Sequence, residues 1–136
     1  DFYNTLTTQS KNPKASQIFK YLAGEEEKHI KVFQGILGSV EKYEPPESYP
    51  GEYFAYMNAL ASEYVFTQKN KGEEIAKKTK TDNEAVDLGI GFEKESIVFY
   101  EGIKRAIPKY DLKAIEELIT QEQNHLMQLL DLKKNL

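Results

Sequence analysis

Two glutamate–histidine pairs carry the most specific chemistry in this sequence, Glu26 with His29 and Glu122 with His125. On a helix, residues three apart lie on one face, so each carboxylate and imidazole can share a divalent cation. The chain has 17 glutamates but only these two histidines. A glutamate three residues before a given histidine arises by chance about one time in eight, and before both about one time in sixty, so one pair is weak evidence and two are strong. Cysteine is absent, which removes disulfide frameworks, zinc ribbons, iron–sulfur clusters and thiol nucleophiles. A transition metal bound here must therefore take oxygen and imidazole ligands.

The surrounding residues put both pairs where a core should be. Phe19, Leu22, Glu26, His29, Phe33 and Ile36 recur at intervals of 3, 4, 3, 4 and 3, the pattern of an inward-facing helix stripe. Ile115, Leu118, Glu122, His125, Leu129 and Leu132 repeat it. A third stripe, Val86, Ile90, Glu93, Ile97 and Tyr100, carries Glu93 at its centre, whereas Glu95 and Glu101 fall off it and are expected in solvent. Burying an unpaired carboxylate is very costly, and a divalent cation compensates that cost directly. The alternative is a pair of metal-free Glu–His hydrogen-bonded networks in the core. Buried ionic groups stabilise poorly, which favours the metal.

The punctuation between stripes is that of helices. Asn12-Pro13 is a cap followed by proline at the first helical position, opening a helix that runs to about Val40. Pro45-Pro46 and Pro50-Gly51 then break the chain. Thr81-Asp82-Asn83-Glu84 reads as a capping box, in which threonine and glutamate satisfy each other's backbone donors. Its helix is expected to reach Ile107, before Pro108, and Asp111 to cap a last helix ending near Lys134. With a helical segment at 1–10, these make one all-α domain over residues 1–136, a four-helix bundle of two antiparallel hairpins. A long crossover, residues 41–81, links the hairpins. It carries an amphipathic piece with Tyr53, Tyr56, Met57, Leu60, Tyr64 and Val65 at helical spacing, expected to pack on the bundle or on a second subunit. The mixed lysines and glutamates at 69–80 and 133–134 read as solvated surface.

The two halves look like copies. A shift of 96 residues lays Glu26 and His29 on Glu122 and His125, and a shift of 97 lays Phe2-Tyr3 on Phe99-Tyr100. Glu93 precedes Tyr100 by seven residues, and the position seven before Tyr3 lies upstream of Asp1. The sequence is therefore expected to begin partway through its first helix, with a further glutamate upstream. One Glu from each of two helices plus Glu-x-x-His from the other two is the ligand set of a two-metal carboxylate site. Two iron ions are the expected occupants, and manganese or zinc could substitute for them.

With 22 acidic against 18 basic side chains, the net charge of −4 argues against nucleic acid as a partner. No apolar run approaches the roughly 20 residues of a membrane span. A cytoplasmic location is the expectation.

The stretches FKYLAGEEEKHIKVFQGIL (19–37), FEKESIVFY (92–100) and QEQNHLMQLL (121–130) resemble the ferritin-like di-iron domain of the rubrerythrin family. The resemblance covers essentially the whole chain. It implies Glu26 and Glu122 as bridging carboxylates, His29 and His125 as terminal ligands and Glu93 as a terminal carboxylate. It also implies an oxidoreductase that reduces peroxide or dioxygen in oxidative-stress defence. Rubrerythrins proper carry a rubredoxin domain with a four-cysteine iron site. This chain has no cysteine, so its electrons are expected from a separate donor protein. Rubrerythrins often place a second carboxylate three residues after the first on the third main helix. Ser96 stands there in this chain, so the resemblance does not imply the redox-linked ligand exchange associated with that group. Tyr3 and Tyr100 lie two turns from the site, where they could hydrogen-bond a ligand, although core packing is the expected role. The apolar crossover segment suggests a homodimer. A non-enzymatic iron-binding protein and a metal-free helical interaction module remain the alternatives.

Overall fold

The computed structural model describes residues 2–41, 71–104 and 109–136. Within them lie five helices and no strand: α1 (Phe2–Gln9), α2 (Pro13–Glu41), α3 (Lys71–Lys77), α4 (Asp82–Ile103) and α5 (Lys109–Lys134). The amphipathic segment at 53–65 lies outside the described residues, as do Ile107 and Pro108. The glutamate expected upstream of Asp1 lies outside the sequence. Among the described residues, no helix is long and apolar enough to cross a membrane.

Local chemistry explains most helix ends. Asn12 Oδ1 accepts from the amides of Lys14 at 3.0 Å and Ala15 at 3.2 Å, with Pro13 first in α2. At the start of α4, Thr81 Oγ1 accepts from the Glu84 amide at 3.1 Å. The reciprocal half of the expected capping box is displaced by one residue. Glu84 Oε2 reaches past the extended cap and accepts from the Lys80 amide at 2.8 Å. Asp111 is not the cap of the last helix but its third residue, because α5 already begins at Lys109. A negative charge in the first turn is favoured there by the positive end of the helix dipole. α4 is described to Ile103, and the expected continuation to Ile107 lies outside the described residues.

α1 packs against α2, and α4 against α5, so both hairpins form, and α2 contacts α5 to join them into an all-α, ferritin-like bundle. α3 lies on α1. The lysine- and glutamate-rich stretch before α4 is thus only partly solvated. Lys71, Glu74 and Lys77 are exposed, but Gly72 and Ala76 are buried. A Cβ on Gly72 would lie 3.0 Å from both the amide nitrogen and the Cβ of Phe2, so glycine lets α3 approach α1 this closely without crowding the Phe2 backbone. Gln9 Nε2 donates to the Ala76 carbonyl at 3.0 Å, tying the end of α1 to the end of α3.

The stripes read from the sequence on α2 and α5 are buried at every position. On α4 the stripe runs through Ser96 rather than Ile97, which is half-buried. Positions 96 and 97 straddle the inner face, and the serine takes the inner side. Its hydroxyl donates back to the Phe92 carbonyl at 2.9 Å, within its own helix. Apolar layers close both ends of the charged zone. Phe2 lies edge-on to Tyr3 and Phe92 on one side, and Phe33 packs edge-on to Phe99 and Tyr100 on the other.

Candidate metal centre

Helical periodicity turns the five ionisable residues read from the sequence into one interior. α2 presents Glu26 and His29, α5 presents Glu122 and His125, and α4 presents Glu93; each is 5 % exposed or less. One ligand atom from each of Glu26, His29, Glu122 and His125 lies within 4.8 Å of the other three. Glu93 adjoins this group, its Oε2 lying 3.7 Å from His125 Nδ1.

The two Glu-x-x-His carboxylates cross between the imidazoles. Glu26 turns Oε1 to His125 Nδ1 at 3.2 Å and Oε2 to His29 Nδ1 at 3.9 Å. Glu122 turns Oε1 to His29 Nδ1 at 2.5 Å and Oε2 to His125 Nδ1 at 3.7 Å. The imidazoles stack with centroids 5.2 Å apart and planes 12° from parallel. Each carboxylate therefore spans both histidines, and both histidines turn Nδ1 inward.

Three further side chains define the edges. Tyr3, expected mainly as packing, donates its hydroxyl to Glu93 Oε1 at 2.6 Å. Gly89, one turn before Glu93, faces the same interior: a Cβ there would lie 3.2 Å from Leu129 Cδ1, a tight approach, and 3.4 Å from the Tyr3 hydroxyl, an ordinary contact. Tyr100 is fully buried, with its ring edge-on to Phe33. Gln121, which the stripe pattern did not single out, accepts at Oε1 from His29 Nε2 at 2.5 Å. Its signal in the sequence is slight, a polar residue immediately before a buried glutamate.

The family model described as Rubrerythrin matches residues 1–133. The chain belongs to the rubrerythrin family. No curated protein and no solved structure matches it significantly.

The electrostatics of the rubrerythrin-type cluster show how it is balanced without a cation. Burial pushes Glu26 up to about 7, against the hydrogen bond from His125. Burial, then the neighbouring Glu26 charge, raises Glu93 well above the ordinary carboxylate range. Burial also opposes ionisation of Glu122, but its contacts with Glu93, His125 and His29 outweigh it and hold that group below its ordinary value. For both histidines burial alone would favour the neutral ring. The carboxylate of Glu122 leads the opposing contacts, raising His29 and pushing His125 up to about 12. Imidazolium protons are thus the positive charge that the chain itself offers these carboxylates.

That balance is incomplete. Glu26 Oε2, Glu93 Oε2 and Glu122 Oε2 are buried and accept no hydrogen bond among the described residues. Each such atom costs about 1–3 kcal/mol, or more when charged. A cation bound by these oxygens and the two Nδ1 atoms removes that cost, so the donor set fits a divalent metal of the iron or manganese type. The structure brings Glu26, His29, Glu122 and His125 together in a buried group that could hold a metal ion, and Glu93 is buried beside it.

Proposed function

We propose that this chain is a non-haem di-iron carboxylate protein that reduces peroxide or dioxygen, with electrons from a separate donor protein. The observation that supports this most directly is the crossing of Glu26 and Glu122 between two stacked imidazoles. Carboxylates that each face both histidines suit two ions side by side better than one. A ferrous pair, when bound, supplies the two electrons that, with two protons, convert one peroxide to two waters.

The chain's own residues would divide the remaining work. Glu26, Glu122, His29 and His125 would hold the ions, and Glu93, oriented by the Tyr3 hydroxyl, would add a further carboxylate. The apolar residues on either side of the cluster, Leu22 and Phe33 on α2 and Leu118 and Leu129 on α5, are buried and limit water access. None of the given residues is a cysteine, so they supply no rubredoxin-type iron site themselves. We take the working form to be a cytoplasmic homodimer that acts in oxidative-stress defence.

The test is anaerobic loading with ferrous ion followed by rapid mixing with peroxide. Two ions per chain should bind and be oxidised faster than free ferrous ion. Binding without accelerated oxidation would favour a non-enzymatic iron-binding protein. Ser96 gives that second reading its support, since its hydroxyl is bonded within its own helix where many rubrerythrins carry a further carboxylate. No binding would leave a metal-free helical interaction module.

A further inference from the structure

We propose that Gln121 is a positioning residue that holds His29 with Nδ1 turned into the metal cluster. The proposal rests on the reading that the cluster binds metal, and it concerns a residue outside the ligand set. His29 Nε2–H donates to Gln121 Oε1 at 2.5 Å, while Nδ1 faces Glu122 and Glu26. An imidazole has only two ring nitrogens. Holding the proton on Nε2 leaves the Nδ1 lone pair for a cation, and anchoring Nε2 fixes the plane of the ring.

The placement of Gln121 explains why it can do this. It immediately precedes Glu122 on α5, so one helix supplies both the oxygen facing His29 Nδ1 and the anchor at its far nitrogen. A carboxamide oxygen accepts this hydrogen bond without adding charge to a cluster that already holds three carboxylates. Gln121 itself is exposed on α5.

The internal repeat makes the inference specific to one half of the cluster. The position equivalent to Gln121 is Glu25, and its carboxylate pairs with Lys28 Nζ at 3.4 Å on the same helix. His125 instead has the ring of Tyr21 edge-on at 6.2 Å. The two histidines are therefore supported differently.

The experiment compares wild type with Gln121→Leu, Gln121→Glu and Glu25→Ala, titrating each with ferrous ion under anaerobic conditions. Gln121→Leu should weaken one of the two ions about tenfold or more, the usual effect of losing a histidine's outer partner. Gln121→Glu, which restores an acceptor, should recover the affinity, and Glu25→Ala should leave both ions unchanged. In the metal-free protein, nitrogen-resolved NMR should show a protected His29 Nε2–H in wild type and Gln121→Glu that Gln121→Leu loses. Thermal melts of the metal-free variants check that all are folded. Undiminished binding of two ions by Gln121→Leu would overturn the positioning role and leave the metal reading intact. A folded wild type that takes up no ferrous ion would overturn both.

Discussion

The hydroxyl of Tyr3 donates to Glu93 Oε1 at 2.6 Å, joining α1 to α4 across 90 residues of chain. Burial and the nearby Glu93 charge raise the phenol well above its ordinary value, so it remains a neutral donor. Tyr3→Phe should leave that oxygen buried without its partner and destabilise the metal-free fold by about 1–3 kcal/mol. Urea unfolding in the presence of chelator would measure the loss, and an unchanged midpoint would show that the hydrogen bond contributes nothing.

Glu122 touches both imidazoles and lies at the centre of the proposed metal site. Glu122→Ala should abolish binding of at least one ion. In the metal-free protein it should also cost about 3–5 kcal/mol, because it leaves buried imidazolium charge unpaired. Metal content after ferrous loading decides the first point; retention of two ions would contradict a bridging role.

The pH dependence follows from the direction of the shifts. Glu26 moves from 4.5 to about 7, so the fold holds its proton more tightly than the unfolded chain and stability falls as pH rises through that window. His29 and His125, both raised from 6.5, act in the same sense above that pH. Glu122 is lowered from 4.5, so its contribution is present above that value and is lost on further acidification. The metal-free protein should therefore be most stable near about pH 5 and melt progressively lower towards about pH 8. Metal binding displaces these protons, so its affinity should rise over the same range. Melts with and without chelator should diverge as pH rises, and a constant separation would contradict the proposed exchange of protons for metal.

Gly72 sets the distance between α3 and α1. Gly72→Ala would bring a methyl to 3.0 Å from the Phe2 backbone, which cannot turn aside as a flexible side chain would. A destabilisation of about 1–3 kcal/mol is expected, despite the better helix propensity of alanine. Chemical denaturation would detect it, and a stabilised variant would show that α3 can move away freely.

Much of this arrangement was legible beforehand because helix periodicity is local. The two Glu-x-x-His stripes, the Asn12 cap and the Thr81 cap each depend on residues within a few positions of one another, and the structure retains them. The differences arise where two local solutions are close in energy. Asp111 suits a cap or the first turn equally, and Ser96 and Ile97 compete for the same edge of the stripe. The helix at 71–77 looked solvated because its charges outnumber its buried residues, and only packing on α1 gives Gly72 and Ala76 an inner side.

Ligand chemistry and spacing follow from the amino-acid sequence by itself: oxygen and imidazole donors without sulfur, three residues apart, midway along apolar stripes. Which oxygen faces which imidazole, how Tyr3 reaches Glu93 and why Gln121 holds His29 were decided only in three dimensions. Those contacts span 90 to 93 residues. They depend on the rotation and height of each helix against its neighbours, which side-chain packing sets and no local pattern records.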